Sequence, residues 1–399
     1  MTLDRLKTTS AIDVSGKRVL VRADLNVPAS GGVITDATRL ERIVPGLLDL
    51  TRRGARVIIF SHFGRPKGGP SPEFSLQPVA AKLAGLLGQP VAFVADCVGP
   101  IAEAAVAGLK PGGIAVLENL RFHKGEEAND AAFAAALARL GDLYVNDAFS
   151  CAHRAHASTE GITHLLPSYA GPLLMKEIAA LRAALDKPTR PTAAVVGGAK
   201  VSSKIEVLTN LVAKVDKLII GGGMANTFLQ AMGVMVGRSL AEPAFHSTAR
   251  NIMAAAKELG CQIVLPTDGV VAGEFKAGAA SKVVDIHAIP LDQMVLDIGP
   301  ASVTRLAEVI AGCRTLLWNG PLGAFEISPF GEGTFALARQ AARMTKAGQL
   351  TSIAGGGDTV AALNAAGVTG DFTYVSTAGG AFLEWLEGKE LPGIAALTR

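Results

Sequence analysis

Arg39, His62, Arg65, Arg121 and Arg154 stand at or near the ends of short apolar runs in the first half of the chain, and Asp24 and Asn26 follow the earliest run. A guanidinium presents a planar fork that captures phosphate or carboxylate through paired hydrogen bonds. Several such groups at one sheet edge repel one another unless an anion lies between them. The pattern therefore predicts a small ligand carrying at least two negative groups. Asp24 and Asn26 lie two apart in Arg22-Ala-Asp-Leu-Asn-Val-Pro28 and are expected on one face of extended backbone. Arg39 opens a helical segment, His62 and Arg65 belong to His62-Phe-Gly-Arg-Pro66, and Arg154 lies in Cys151-Ala-His-Arg-Ala-His156. A metal pair His153/His156 lacks a third ligand at useful spacing. An activated Cys151 beside His153 is the less favoured alternative to a buried, reduced thiol.

The second half loads its strand ends differently, with Gly197-Gly198, Gly221-Gly222-Gly223, Asp268, Asp297, Gly320 and Gly355-Gly-Gly-Asp-Thr359. Backbone N–H groups exposed by glycine suit phosphates, and carboxylates suit a cation. Asp358, after three glycines at a strand-to-helix turn, is placed to hold Mg²⁺ through phosphate oxygens. In Gly197-Gly-Ala-Lys-Val-Ser-Ser-Lys204, Lys200 and Lys204 are expected on one helix face, and lysines there oppose the macrodipole unless an anion is present. Glu326, after Trp318-Asn-Gly-Pro-Leu-Gly-Ala-Phe325, is placed to accept from ribose hydroxyls, and Ser376-Thr-Ala-Gly-Gly380 forms a further glycine nest. Neither the Walker loop nor a well-placed dinucleotide fingerprint is present.

These residues need strands to carry them. Short β-branched runs alternate with Ala/Leu-rich helical segments throughout, which is the pattern of parallel α/β sheets. Strands are expected at Arg18–Arg22, Arg56–Phe60, Val91–Val94, Ile114–Leu117 and Leu143–Val145, then at Thr192–Val196, Lys217–Ile220, Gln262–Leu265, Gln293–Leu296, Thr315–Trp318, Leu350–Ala354 and Phe372–Val375. A chain of 399 residues fits two domains. The weak point is Leu185-Asp-Lys-Pro-Thr-Arg-Pro191, after a helical stretch that Pro172 could start. With 49% hydrophobic but only 5% aromatic residues, Ala, Val, Leu and Ile must fill the cores. A net charge of +3 argues against nucleic-acid or membrane-surface binding. Four scattered cysteines, no apolar leader and no spanning run point to a cytoplasmic chain.

Taken together, Arg18–Pro28, His62–Pro66, Glu118–His123, Val145–His156, Gly197–Lys204, Gly221–Ala225, Trp318–Glu326, Gly355–Thr359 and Ser376–Pro392 resemble the phosphoglycerate kinase family over essentially the whole chain. The resemblance implies two Rossmann-like α/β domains, each a parallel sheet flanked by helices, facing across a hinged cleft. It assigns residues 1–172 and a returning tail 381–399 to the acid substrate, 173–185 to an interdomain helix, and 186–380 to the nucleotide. It implies 3-phosphoglycerate or 1,3-bisphosphoglycerate on Asp24, Asn26, Arg39, His62, Arg65, Arg121 and Arg154. It implies ATP or ADP on Gly198, Ala199, Lys204, Gly222, Asn319, Glu326, Gly356, Gly357, Asp358 and Thr359, with Mg²⁺ on Asp358. Arg39, Lys200, Gly379 and Gly380 would surround the phosphoryl group in transfer, and the family implies a monomer. Two departures stand out: Ala378 where a third glycine is usual, and Gly269 where a bulkier residue is expected to line the nucleotide pocket. The rival readings are an NAD-dependent two-domain dehydrogenase and a non-catalytic two-lobed binding protein.

Overall fold

The computed structural model describes residues 3–67 and 69–399, which separate into two compact units. The first comprises residues 1–178 and 390–399, the second residues 179–389.

In the first unit six parallel strands lie in the spatial order Val91–Val94, Ile114–Leu117, Arg56–Phe60, Arg18–Arg22, Leu143–Asn146 and Ser168–Ala170. The interior strands are near-continuous buried apolar runs, as a sheet covered by helices on both faces requires. Each fully buried Val, Leu or Ile contributes about 1.5–3 kcal/mol against the conformational entropy of ordering. The strand order reverses between Arg18–Arg22 and Leu143–Asn146, and such reversals open a ligand crevice beyond the carboxyl ends of the strands. Ser168–Ala170 was not expected as a strand, because its Ser-Tyr-Ala run has no β-branched residue.

The second unit's main sheet is also parallel, in the order Gln262–Val264, Lys217–Ile220, Thr192–Val196, Thr315–Asn319, Thr351–Gly355 and Tyr374–Ser376. Counted along the chain this is 3-2-1-4-5-6, the dinucleotide-fold order, with its switch point between Thr192–Val196 and Thr315–Asn319. The run expected at Gln293–Leu296 is Met294–Ile298, and it does not join this sheet. It pairs antiparallel with Asp268–Ala272, which in turn pairs with Ser281–Asp285. This three-stranded sheet packs Val271 on Leu229, Val234 and Val236, forming a separate small core.

The tail also divides later than expected. Helix Gly379–Leu386 packs on helix Ile205–Val212, where Asn210 Nδ2 donates to Leu386 O at 2.6 Å and Lys389 bridges Glu206 and Glu387. Residues 381–389 therefore stay with the second unit. From Glu390 onward the chain belongs to the first unit, where Leu391, Ile394 and Leu397 are buried and Gly393 N donates to Ala152 O. The boundary on the other side falls inside helix Pro172–Leu185. Asp147 caps that helix, accepting from Leu173 N (2.7 Å) and Leu174 N (2.9 Å), and burial pushes its carboxyl up to about 6.

Candidate functional sites of the two units

At the switch point of the first unit, Asp24 and Asn26 do not share a strand face as expected. The strand ends at Arg22, and Asn26 N donates back to Asp24 Oδ1 at 3.1 Å, closing a local turn. That turn points Asp24 Oδ2 at Arg39 Nη1 (2.9 Å) and at the Ser150 hydroxyl, which donates at 2.6 Å. Arg39 Nη1 also donates to Asn26 O at 2.9 Å. Asn26 Oδ1 accepts from Gly64 N at 2.8 Å, and Arg121 Nη1 donates to Gly64 O at 2.6 Å. Asn119, fully buried, clamps the same loop by accepting from Phe63 N and donating to Phe63 O and Phe74 O. Arg65 follows Gly64 on this loop and is exposed, lining a shallow depression with Lys67, Ser71 and Phe74.

His62 lies at the centre of this positive charge. Burial, then Arg22, Arg121, Arg154 and Arg39, hold its pKa well below the usual histidine range. Arg22 Nη2 sits 3.1 Å from His62 Nδ1, and a guanidinium can only donate, so the neutral ring carries its proton on Nε2. His156 is pushed down to about 4 by burial and then Arg22, and His153, which accepts from Arg154 Nε at 3.1 Å, is also lowered. Three neutral imidazoles thus donate or accept without adding charge, and the guanidinium groups supply the field. Buried Arg22, beneath them, is a basic group that the strand-end pattern passed over. Its signal was a charged residue closing the apolar Val19-Leu20-Val21 run.

The second unit encloses a cavity of about 470 Å³, within the range of small-molecule sites. Gly198, Ala199, Gly222, Glu326 and Asp358 line it. Much of its wall was not foreseen: Leu240, Phe275, Met294, Val295 and Leu322 make a largely apolar slot fed by the three-stranded sheet. Gly222 has φ +66°, and a Cβ there would come within 2.6 Å of Gly198 O, so the two glycine loops touch through backbone. Asp358 is exposed in the first turn of helix Gly357–Ala365, where a negative charge complements the helix dipole. Gly379 and Gly380 are exposed at the start of their helix, so that end offers backbone N–H groups to an anion.

Several of the expected contacts also make hydrogen bonds within the protein. Asn319 and Thr359 are buried: Asn319 Nδ2 donates to Gly355 O at 2.8 Å, and Gly320 N donates to Thr359 Oγ1 at 2.7 Å. Lys204 Nζ donates to Gly197 O, Asn319 O and Asn319 Oδ1 at 2.7–3.1 Å, which occupies all three of its protons. Gly356, at φ +99°, lies against Asn319, leaving no room for a side chain. Lys200 and Lys204 do not share a helix face. Lys200 is extended (φ −134°, ψ 130°), the turn Val201–Ser203 follows, and the helix starts only at Ile205. Asp268 caps helix Pro300–Ala311, its two oxygens accepting from Ala301 N and Ser302 N. Asp297 lies in the cavity wall but accepts from Ile298 N and Gly333 N, and burial pushes it up to about 7.

The two departures are accommodated. Ala378 has φ −96° and ψ 44° as the residue before its helix, a conformation open to alanine. Gly269 is not in the cavity wall: a Cβ there would press on Val295, which is.

Burial pulls Lys204 down to about 8, while the charge of Asp358 works in the opposite direction. A bound polyphosphate raises a lysine pKa and so takes up a proton. Affinity for a polyphosphate ligand is therefore expected to be greatest below pH 8 and to fall as pH rises through that value toward about 10. Calorimetric titration across this range checks it. Lys204→Met should flatten the curve, and a wild-type slope in that variant would contradict the assignment.

The family model described as Phosphoglycerate kinase matches residues 9–389. The chain belongs to the phosphoglycerate kinase family. It is 61% identical over 387 residues to the phosphoglycerate kinase of Allorhizobium ampelinum, covering 97% of each chain. It is 61% identical over 385 residues to that of Zymomonas mobilis, covering 96% of this chain and 97% of the relative. The solved structure of phosphoglycerate kinase from Coxiella burnetii matches with a TM-score of 0.92 at 43% identity, over 98% of this chain and 99% of that one. Membership makes this chain a transferase, a kinase of glycolysis, and sets aside the dehydrogenase and non-catalytic readings. Among the described residues no helix is long and apolar enough to cross a membrane.

Proposed function

We propose that the chain transfers a phosphoryl group reversibly between 1,3-bisphosphoglycerate and ADP, giving 3-phosphoglycerate and ATP. The observation that carries this reading is the guanidinium set around neutral His62. It is suited to a small ligand with a phosphate at one end and a carboxylate at the other. Arg39, Arg121 and Arg154 supply the charge and His62 Nε2–H a neutral donor, with Arg65 at the rim. Asp24 and Asn26 orient Arg39 and the 62–65 loop.

The nucleotide occupies the second unit's cavity, with its base in the apolar slot and its ribose near Glu326. Its phosphates lie toward the Gly198, Gly222 and Gly356–Gly357 turns. Mg²⁺ is ordinarily held by one or two carboxylates together with substrate phosphates, and the exposed Asp358 carboxylate on the cavity wall fits that role. When bound, the ion neutralises charge on the phosphates. The acceptor is a carboxylate already ionised at neutral pH, so no general base is needed. The chain's own contribution is alignment and charge: Arg39, Lys200 and the N–H groups of Gly379 and Gly380 stabilise the group in transfer. Donor and acceptor atoms must approach to about 3–3.5 Å, with water excluded, because an acyl phosphate hydrolyses readily. The four cysteines are buried and free, consistent with a reducing cytoplasmic setting, and a monomer is expected on size-exclusion chromatography.

A coupled assay of ATP- and Mg²⁺-dependent phosphorylation of 3-phosphoglycerate tests the reading, and a purified, folded chain without such turnover would refute it. Arg121→Ala is expected to raise KM for 3-phosphoglycerate about tenfold to a hundredfold, the worth of a charge-assisted hydrogen bond of about 1.5–3 kcal/mol. KM for ATP should not change, and equal shifts in both would count against a substrate-specific role.

A further inference from the structure

Outside both sites, the first unit gathers three donors of different chemistry: the Asp96 carboxylate, the Cys97 thiol and the His123 imidazole. One ligand atom from each lies within 4.8 Å of the other two. Asp96 and Cys97 follow the edge strand Val91–Val94, and His123 follows the turn Leu120–Phe122, so the cluster joins two segments distant in sequence. Asp96 Oδ1 is held by Cys97 N at 2.7 Å and lies 2.8 Å from His123 Nε2. The His123 ring stacks on Phe133 with centroids 5.2 Å apart. Cys97 is fully buried, whereas the Asp96 and His123 side chains are about one-third exposed (37% and 33%), so the thiol forms the floor of a site open to water on one side.

A Cys-His-Asp set invites comparison with a nucleophilic triad, but the geometry argues against it. The thiol is covered, and His123 Nε2 faces the carboxylate rather than the sulfur. One sulfur, one imidazole nitrogen and one carboxylate oxygen instead make a ligand set for a borderline-soft divalent cation, with a fourth position left for water. Tetrahedral ligands around such an ion stand about 3.3–3.7 Å apart, given bonds of about 2.0–2.3 Å. Rotation of the two partly exposed side chains toward the sulfur supplies that spacing and opens the 2.8 Å contact between them: the His123 proton passes through water to Nδ1 as Nε2 exchanges its hydrogen bond to Asp96 for the metal, and Cys97 releases its proton to solvent. We propose that Asp96, Cys97 and His123 form a binding site for a zinc-class divalent cation, tying the edge strand to the turn that carries Arg121.

The test uses the full chain, stripped with a chelator and titrated with Co²⁺. The expected result is one equivalent bound, with a thiolate charge-transfer band and visible bands of tetrahedral Co²⁺. Cys97→Ser should abolish the charge-transfer band, and Cys261→Ser should retain it. His123→Gln, at a partly exposed position that puts folding at little risk, should weaken Co²⁺ binding at least tenfold, as should Asp96→Asn. Competition with Zn²⁺ should displace Co²⁺ stoichiometrically. A charge-transfer band that survives Cys97→Ser, wild-type affinity in His123→Gln, or no saturable binding in the wild-type chain would each overturn the proposal.

Discussion

Lys200→Ala is expected to lower kcat by about 10²–10³-fold, the cost of removing one group that meets charge developing in the transition state. Dissociation constants for ADP and 3-phosphoglycerate should change far less. The structural reason is where the side chain starts. Gly198 and Ala199 line the cavity, and Lys200 is the next residue, in extended backbone before the turn Val201–Ser203. Its side chain is exposed, and it contributes to the lowering of the Glu242 pKa. Glu242 itself is occupied by Ser202, whose N–H and hydroxyl donate to it at 2.9 and 2.6 Å. Lys200 is thus an exposed cation one residue beyond the cavity lining, whereas Lys204 has its protons committed to Gly197 and Asn319. Only the first can move with a phosphoryl group. Steady-state kcat alongside equilibrium titration of each ligand separates these roles. A wild-type kcat would refute the assignment, and a loss confined to ADP affinity would move Lys200 into ground-state binding.

The same contrast shows what was legible in the sequence. Strands such as Arg18–Arg22, Arg56–Phe60 and Thr192–Val196 were readable because burial on both faces leaves a near-continuous apolar run. Charged and glycine residues at their ends were readable as candidates for ligand contact because a parallel sheet offers its carboxyl ends to ligands. The antiparallel sheet was not, since Asp268–Ala272 and Ser281–Asp285 offer only a Val-Val pair each among glycine and charged neighbours. With it went the apolar slot, whose wall residues Leu240, Met294 and Val295 look like ordinary core in one dimension. Sequence also could not separate residues that touch a ligand from residues that hold the loop that does. Asn319, Thr359 and Asp268 have the right chemistry for ligands, and they also hydrogen-bond within the protein, to its backbone and, for Asn319, to Lys204.

Arg39→Ala is expected to cost a similar 10²–10³-fold in kcat, for a reason visible at the other site. Arg39 does not reach outward from a flexible stem. Its Nη1 is fixed by Asp24 Oδ2 and Asn26 O, both at 2.9 Å, and Asp24 is in turn fixed by Ser150 and by Asn26 N. A guanidinium held in this way loses little freedom on meeting a phosphoryl group, which is the condition under which a charge is worth most to a transition state. Lysine keeps the charge but has neither the fork nor its two-point anchorage, so Arg39→Lys should recover only a minor part of the loss. Asp24→Asn keeps the shape and weakens the anchor. It should lower kcat by less than Arg39→Ala, and combining the two should cost little more than Arg39→Ala alone, because the anchor matters only through what it holds. Fully additive losses in that cycle would mean that Asp24 acts on the substrate directly rather than through Arg39.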